Sequence, residues 1–410
     1  MIKKILFVLA IALAAVNINA GELDALANKL AEKGIITYGE AAQLITESQE
    51  ETRAITARAE NPALPLWIQK VAITGDVRVR MQQDINKTAN EDRIRNRTRV
   101  RLGLETTPSE KLKAGIGIAT GALRVNGSSV GDQNPNSTNH TYQGFNKAPL
   151  FLDFAFLQYE PVNNLLVTGG KVKAKTQVWN TTSLLWDGDI NPDGLAVNYQ
   201  TSNDKLNFFA NAGWYTINEQ RNTGMPYLYI LQPGVSYNTA DLNVKAALAY
   251  QHWDIKGKPT GSNDTGNYFG GANGANNFHI INPSLEITLK HILAGYDITA
   301  FGDYAKNMYD SVYQGDRTGY AFGLGIGDEK IDGFGKWQLR GTYRRLEQNA
   351  APLGVTESDA YEGKAGKGFE AKLSYGLLKD LQFNFGYFNM TNIKGEVRRM
   401  VYQYDLVYKF

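Results

Sequence analysis

The sequence predicts an all-β protein: a 16-stranded antiparallel transmembrane β-barrel that follows a short N-terminal periplasmic helical segment. Three observations support this prediction. From residue 66 to the C-terminus, apolar and polar residues alternate with the period of two that is typical of strands. The connections between these segments are alternately short and long. The polar faces carry more charged residues than a dry core could hold.

The composition excludes several classes of protein. The chain has 410 residues, of which 43% are hydrophobic and 20% charged, so it has the material to fold. A formal net charge of +2 argues against a nucleic-acid partner. The chain has no cysteine, which excludes disulfides, zinc–thiolate sites and thiol catalysis. We therefore expect no metal, no cofactor and no enzymatic activity.

The N-terminus has the pattern of an export signal. Lys3 and Lys4 precede an apolar run that ends at Val16, and Ala20 offers a small residue at a cleavage point. We expect residues 1–20 to be a cleaved signal peptide, with an uncleaved membrane anchor as the alternative. The protein is then exported to the cell envelope, and the strands that follow indicate the outer membrane.

Residues 21–60 have helical periodicity. Thr37 and Glu40 form a T-x-x-E capping box, in which the side chain of each residue can accept a hydrogen bond from the free backbone N–H of the other. This periplasmic helical segment either contacts itself or another envelope component, or is a solvated spacer. The prolines within residues 61–69 end the helix and make that stretch a linker.

Residues 70–410 form the predicted barrel. In its first strand Val77 and Val79 alternate with Arg78 and Arg80. Segments of this kind, about ten residues long, suit a tilted strand that crosses a bilayer. The sixteen predicted strands are 70–81, 97–106, 111–121, 150–160, 165–172, 193–201, 205–216, 227–238, 241–253, 278–289, 291–304, 319–327, 335–347, 367–376, 380–390 and 397–410.

The lengths of the connections indicate two different rims. The links after even-numbered strands are tight, whereas most links after odd-numbered strands are long and rich in Gly, Asn and Asp. A soluble sandwich has no reason to sort its loops in this way, but a transmembrane barrel has short periplasmic turns and long external loops. The long connections are 122–149, 173–192, 254–277, 305–318 and 348–366.

The last strand ends in alternating aromatics. Tyr404, Tyr408 and the terminal Phe410 share one face, opposite polar residues such as Asp405. Aromatic side chains at strand ends suit the membrane interface. The pattern also resembles the signal that the bacterial barrel-assembly machinery reads, so we expect that machinery and outer-membrane lipid as partners.

Four stretches of the chain resemble the putative porin family of Gram-negative outer membranes. The resemblance implies an outer-membrane diffusion channel for small hydrophilic solutes, without deciding which solute. Wide porins are commonly trimers, so the resemblance also implies a homotrimer. The four stretches are residues 30–37, residues 64–68 with 73–80, residues 95–105 with 118–121, and residues 185–196.

Arginines at alternate positions are the candidate selectivity residues. By strand register they face the lumen, where they would attract anions and order water. Alternatively they are part of a polar wall that needs charges of both signs. The candidate pore-lining basic residues are Arg78, Arg80, Arg95, Arg97, Arg99, Arg101, Arg340 and Arg344.

The connection 173–192 is the candidate for a loop that folds inward and narrows the pore. Its acidic residues Asp187, Asp189 and Asp193 could face the arginines and set a transverse field. The run from Asp189 to Gly194 also matches the first half of a calcium-binding loop. Residue 200 is Gln rather than Glu, however, so a loop-to-strand turn is the favoured interpretation.

Two other functions remain as alternatives. One is a structural barrel with a plugged lumen, tethered to the periplasm through the helical segment. Glycines that face inward, such as Gly115, Gly117, Gly323 and Gly325, favour an open bore instead. The other is an enzyme, for which none of the four histidines stands in a constellation with Ser and Asp, so we predict no catalytic residue.

Overall fold

The structure is a computed structural model. Single residues of the N-terminal part are described, at positions 29, 31, 33, 41 and 45, and most of the rest of the chain is described in ten stretches. These are residues 70–87, 91–121, 137–142, 145, 147–173, 177–217, 225–255, 277–309, 315–361 and 365–410.

The chain divides into two compact units, Met1–Lys70 and Val71–Phe410. The predicted signal peptide and linker lie outside the described residues, and so does nearly all of the predicted helical segment. In the first unit Ala31 and Ala41 are buried and pack with Ile45. Within the described ranges, no helix is both long enough and apolar enough to cross a membrane.

The second unit is built from sixteen long strands and one short strand of two residues. A short helix, α1 (Ser358–Tyr361), lies between two of the strands. The strands are β1 (Ala72–Asn86), β2 (Glu91–Ser109), β3 (Leu112–Thr120), β4 (His140–Thr141), β5 (Leu150–Val162), β6 (Leu165–Lys171), β7 (Asp193–Asn203), β8 (Leu206–Thr216), β9 (Tyr227–Asn238), β10 (Leu242–Asp254), β11 (Asn277–Leu293), β12 (Tyr296–Asn307), β13 (Thr318–Gly327), β14 (Trp337–Leu346), β15 (Gly366–Leu378), β16 (Leu381–Thr391) and β17 (Arg398–Lys409).

The sixteen long strands close into one antiparallel barrel, as the sequence predicts. Each pairs with two neighbours, and the barrel closes where β1 pairs with β17, with Val79 opposite Leu406. Beyond the end of that ladder, Gly75 and Phe410 exchange two backbone hydrogen bonds of 2.9 and 3.1 Å. The short strand β4 pairs with β2 at Arg97 and Thr98. Closure leaves no free sheet edge among the long strands.

The first hairpin is longer than the sequence predicts. Residues 82–86 and 91–96 were expected in a connection, but they extend β1 and β2. Polar residues on the outer face, such as Gln83 and Asn96, interrupt the apolar alternation there. The backbone ladder continues nonetheless, because inward polar side chains such as Asp84 and Arg95 pair with each other across it.

The two faces of the wall have the opposite polarity to a soluble sheet. Arg78 and Arg80 are buried inside the barrel, whereas Val79 and Met81 beside them are 49% and 47% exposed. Exposed aromatics lie near both rims of the outer surface. Near the rim of short turns these are Tyr159, Tyr199, Phe208 and Tyr408; near the rim of long connections they are Trp214, Tyr229, Tyr250, Tyr304 and Phe369.

Two of the long connections lie inside the barrel. We call the described residues of 172–192, between β6 and β7, inner loop 1, and those of 347–365, between β14 and β15, inner loop 2. Buried apolar residues of both loops join apolar side chains of the wall in one cluster, in which Trp186 and Trp253 lie 6.0 Å apart. The barrel core therefore sits between the loops and the wall.

Candidate functional site

Inner loop 1 crosses the lumen and is attached to three separate strands. The N–H of Trp179 donates to Gln232 on β9 at 2.8 Å, and Gln232 Nε2 donates back to the Trp179 carbonyl at 2.7 Å. Asp303 on β12 accepts from the backbone N–H and the hydroxyl of Thr182, at 2.6 and 2.5 Å. Arg344 on β14 donates to the Ser183 carbonyl at 3.1 Å. The loop thus narrows the lumen.

Inner loop 2 packs against inner loop 1. The Asp187 N–H donates to the carbonyl of Val355 at 2.7 Å, and the Asp187 carboxylate accepts from the N–H and the hydroxyl of Ser358 at 3.1 and 3.0 Å. Asp359 forms an ion pair with Arg80 on the wall at 3.0 Å. Sequence reasoning missed this inward fold. The only available signal was a short apolar run in a connection expected to be polar, at residues 350–353.

The predicted arginines of β1 and β2 face the lumen. Arg80 binds Asp405 on β17 through two hydrogen bonds of 2.7 and 2.9 Å. Asp76 accepts from Arg99 and Arg101 at 2.9 and 2.6 Å. The remaining arginines of this wall also have polar surroundings: Arg78 contacts Asn139 and Asp405, Arg95 contacts Asp84, and Arg97 is almost fully buried at 1% exposure.

The arginine wall is therefore closely balanced by carboxylates. Arg399 on β17, which sequence reasoning did not single out, shares Asp84 with Arg95 at 2.6 Å. These pairs lie at facing or diagonal positions of neighbouring strands: Asp76 is opposite Arg101, for example, whereas Asp84 is opposite Arg93 and one inward position from Arg95. Such pairs fix the wall and the loops, and they reduce the charge that a passing ion would meet.

The three acidic residues of the predicted pore loop have different surroundings. Asp189 lies 3.9 Å from Arg99 and 4.0 Å from Arg101, and it accepts from Thr138 at 3.0 Å. Asp187 lies at the contact between the inner loops. Asp193 is the first residue of β7, and its exposed carboxylate pairs with Lys171 at 3.1 Å. Inner loop 1 therefore brings Asp189 to the arginines of β2 and Asp187 to inner loop 2, whereas Asp193 lies at neither place.

Three carboxylates of the inner loops differ in their ionisation. Burial, followed by the nearby carboxylate of Glu357, raises the pKa of Asp187 well above its ordinary value. Burial and the carboxylate of Asp359 likewise raise the pKa of Glu357. Burial opposes ionisation of Asp359 as well, but Arg80 and neighbouring arginines hold the pKa of Asp359 far below its ordinary value. Asp359, beside the arginines, is therefore firmly ionised, whereas Asp187 and Glu357 resist ionisation.

A cavity of about 370 Å³ lies between inner loop 1 and the wall formed by β12, β14 and β15. Arg340 and Lys372 stand opposite each other on paired strands, and Glu370 lies one inward position away. The predicted Arg340 thus faces the lumen beside Lys372 and Glu370. Sequence reasoning did not select Glu370 and Lys372, although they alternate with Phe369, Ala371 and Leu373 and so lie on the polar face of their strand.

A second cavity of about 450 Å³ lies nearer the rim of short turns, and Val178 and Trp179 border both cavities. Its basic residues include Lys173, which pairs with Glu105, and Lys245, whose ammonium lies 4.6 Å from the ring centre of Trp179. Both cavities are open spaces that inner loop 1 leaves in the lumen.

The inward glycines do not widen the bore as expected. A Cβ on Gly117 would stand 2.2 Å from the ring of Phe154, and one on Gly115 would stand 2.5 Å from that of Phe156. Likewise, the Phe301 ring lies over Gly323. These glycines make room for aromatic rings, so the expectation of open space there was wrong; Gly325 lies against the Arg340 side chain instead.

The predicted assembly residues lie on the outer surface. Tyr404, Tyr408 and Phe410 are between 37% and 49% exposed, and the Phe410 ring lies over Gly75 of β1. In the described part of the chain, no group of three or more His, Asp or Glu side chains could hold a metal ion. The residues of the calcium-like run are bound elsewhere: Asn191 donates to Asp153 at 2.9 Å, for example.

A closed barrel with an apolar outer surface, a charged lumen and a loop that narrows it has the architecture of a porin. The family described as "Putative porin" matches residues 85–273 and 271–410, so the chain belongs to that family. The resemblance identified from the sequence motifs is thereby confirmed. No curated protein matches the chain.

One solved structure supports this fold. OprB of Pseudomonas putida has 12% sequence identity with this chain and a TM-score of 0.55, over 83% of this chain and 94% of its own. The outer membrane channel DcaP of Acinetobacter baumannii has 13% identity and a TM-score of 0.45, over 83% of this chain and 97% of its own. Family and fold indicate a channel rather than an enzyme, and they support the outer membrane as its location.

Proposed function

We propose that this protein is an outer-membrane porin, a water-filled channel for passive diffusion of small hydrophilic solutes and ions. The observation that carries the proposal is the inverted polarity of a closed barrel: its lumen holds charged side chains and cavities, and its outside is apolar. Charged side chains in the lumen are solvated only if water fills the spaces that the loops leave.

The membrane environment that we propose follows from the apolar outer surface of the barrel. The apolar outer wall meets outer-membrane lipid, and its two rims of aromatics lie at the two membrane interfaces. A signal peptide exports the chain, the barrel-assembly machinery recognises its aromatic C-terminal strand, and the barrel works as a homotrimer. A gel-filtration and light-scattering measurement in detergent tests the trimer, and a monomeric mass would contradict it.

We further propose that the channel prefers anions. The arginines of β1 and β2 are balanced by carboxylates, whereas Arg340 forms no ion pair with any described residue, and Asp187 beside it resists ionisation. The preference therefore comes mainly from the basic residues around the 370 Å³ cavity. At the arginine wall Asp189 lies 3.9 Å from Arg99 and 4.0 Å from Arg101, so charges of the two signs partly cancel there and contribute only a weak transverse field.

Single-channel recording in a planar bilayer tests both proposals. We expect discrete conductance steps in potassium chloride and, under a salt gradient, a reversal potential on the side of anions. Substitution Arg340→Gln should move the reversal potential toward zero. The matched control is Arg345→Gln, since Arg345 lies on the outer face of the same strand and pairs with Glu347 at 2.9 Å. An equal shift in both variants would contradict the assignment to Arg340.

The plugged structural barrel is the second candidate, and one observation favours it. Both inner loops are bound to the wall and to each other, and their apolar residues form a continuous buried cluster with it. A folded barrel that gives no conductance steps would support this candidate over the porin.

A further inference from the structure

The 370 Å³ cavity beside inner loop 1 has the features of a binding site as well as of a passage. Trp186 is 8% exposed, lines this cavity, and its indole Nε1–H has no hydrogen-bond partner among the described residues. Glu370 and Thr181 line the same cavity, and Glu370 Oε2 and the Thr181 hydroxyl likewise have no hydrogen-bond partner among the described residues. Buried polar atoms without partners are rare and unfavourable, so three around one cavity point to a ligand.

The charges around the cavity define one end of that ligand. Arg340 stacks on the ring of Phe301, with its guanidinium carbon 4.0 Å from the ring centre, and its single described hydrogen bond to the loop, at the Thr181 carbonyl, is 3.4 Å long. Lys372 lies 3.6 Å from Glu370. The cavity is thus lined by two cations and two carboxylates, Glu370 and Asp187, and burial favours the neutral form of Asp187. The positive charge that remains complements one carboxylate on a solute.

The other features define the rest of the ligand. Glu370 Oε2 can accept a hydrogen bond, and the Trp186 Nε1–H can donate one, which is the pair of roles that a single hydroxyl group can answer. The rings of Trp179 and Phe301 border the same space and offer apolar faces to C–H groups. A hydroxyl-bearing carbon chain that ends in a carboxylate uses all of these groups together.

We propose that the cavity is a binding site for small hydroxylated monocarboxylates, the sugar acids being the class that fits. The solute carboxylate binds Arg340 and Lys372, while its hydroxyl groups donate to Glu370 and accept from Trp186. This inference rests on the proposed function, because a solute reaches the cavity through the channel. It adds a substrate class to the ionic preference: hydroxylated anions bind more tightly than simple anions.

Binding and conduction are measured separately, so that the two proposals can fail independently. Calorimetry on the detergent-solubilised full chain measures binding of gluconate, with hexanoate as the carboxylate without hydroxyls, sorbitol as the hydroxyls without carboxylate, and alanine as the zwitterion. We expect gluconate to bind at least about tenfold more tightly than any of the three. In planar bilayers gluconate should interrupt the chloride current at correspondingly lower concentrations.

Two conservative variants test the proposed contacts. Trp186→Phe keeps a ring and removes the N–H, so it should weaken gluconate binding about tenfold and leave hexanoate binding nearly unchanged. Glu370→Gln removes the charged acceptor beside Lys372 and strengthens the attraction of any carboxylate, but it should lower the preference for gluconate over hexanoate about tenfold. Trp214→Phe is the matched control, since Trp214 is 40% exposed on the outer face of β8. Circular dichroism and heat-modified gel mobility confirm that each variant is folded.

Several results would overturn the proposal. If hexanoate binds as tightly as gluconate, the cavity attracts anions in general. If sorbitol binds as tightly as gluconate, the cavity is a site for neutral polyols. If alanine binds more tightly than gluconate, the cavity is a site for zwitterions. An unchanged preference for gluconate over hexanoate in both cavity variants would place the site elsewhere. Gluconate binding by a barrel without conductance would retain the site and overturn the porin, whereas conductance without gluconate binding would retain the porin and overturn the site.

Discussion

Gly75 on β1 lies where the barrel closes, and the structure leaves no room for a methyl group at this position. A Cβ there would stand 2.3 Å from the Arg101 carbonyl oxygen and 2.6 Å from the Phe410 ring. Backbone on one side and the terminal aromatic on the other leave no room for it. Glycine is thus required where the first and last strands meet.

We predict that Gly75→Ala destabilises the barrel by about 1–3 kcal/mol, because overpacking at this position shifts the backbone or displaces Phe410. The measurement is urea unfolding followed by heat-modified gel mobility. Gly341→Ala is the matched control, since nothing lies within 4 Å of a Cβ on Gly341. Equal stability of the two variants would show that β1 and β17 can shift to accommodate the methyl group without a loss in the free energy of unfolding.

The position of inner loop 1 depends on a carboxylate of β12, a strand that is far from the loop in the sequence. Asp303 accepts from Thr181 N–H at 3.3 Å and from two groups of Thr182. Three hydrogen bonds to a charged acceptor fix the position at which the loop crosses the lumen, although Asp303 lies more than a hundred residues away along the chain.

We predict that Asp303→Ala loosens inner loop 1 by about 3 kcal/mol, since it removes a charged acceptor shared by three donors. Single-channel recording should show larger current fluctuations and a higher mean conductance than in the wild type. The control is Asp241→Asn, in the exposed turn between β9 and β10. A steady wild-type current in Asp303→Ala would mean that the apolar cluster alone fixes the loop.

The contact between the two inner loops should depend on pH. Because the pKa of Asp187 is raised in the folded state, the stability that its neutral form contributes is present at low pH and lost as pH rises through that pKa. Above it, the ionised Asp187 faces the carboxylates of Glu357, Asp359 and Asp189, and each unit of pKa shift weakens the contact by about 1.4 kcal/mol.

We predict that current fluctuations increase as pH rises through the raised pKa of Asp187, and that Asp187→Asn abolishes this dependence, because the amide oxygen still accepts from Ser358 and carries no charge. The comparison is noise recorded on both proteins at matched salt. Asp241→Asn serves as the control and should keep the wild-type dependence. If Asp187→Asn also keeps it, another group controls the contact.

Closure of the barrel is a property of the whole molecule that the absence of cysteine makes easy to test. Val79 and Leu406 are opposite each other where β1 meets β17. Facing Cα atoms in antiparallel strands are about 4.5–5.5 Å apart, which is within the span of a disulfide.

We predict that the double variant Val79→Cys with Leu406→Cys forms a disulfide on air oxidation and migrates as a cross-linked form on boiled, non-reducing gels. In the control, Met81→Cys with Leu406→Cys, the two positions are offset by two residues, which puts them about 7–8 Å apart and out of reach. Cross-linking in the control but not in the test pair would mean that the register of closure is shifted.

Much of the fold follows from local patterns that the sequence displays directly. Alternation with period two, as in Val77 to Arg80, identifies the strands within a few residues, because every second side chain of a strand lies on one face. Sorting of the connections by length then assigns the two rims. The same register argument assigns Arg80 and Arg340 to the polar face of their strands, since orientation across a strand needs no knowledge of distant residues.

The interior of the barrel depended on contacts that no local pattern carries. The partners of Arg80 are Asp359 and Asp405, which are remote in sequence, and only closure and loop placement bring them together. Inner loop 2 folds inward because its apolar residues find a buried cluster made by other strands. The sequence by itself determined the barrel, its polarity and the face of each arginine. The tertiary structure decided which charged side chains are paired and which, such as that of Arg340, remain available to a solute. It did so because the partners of a charged side chain come from residues that are distant in the sequence.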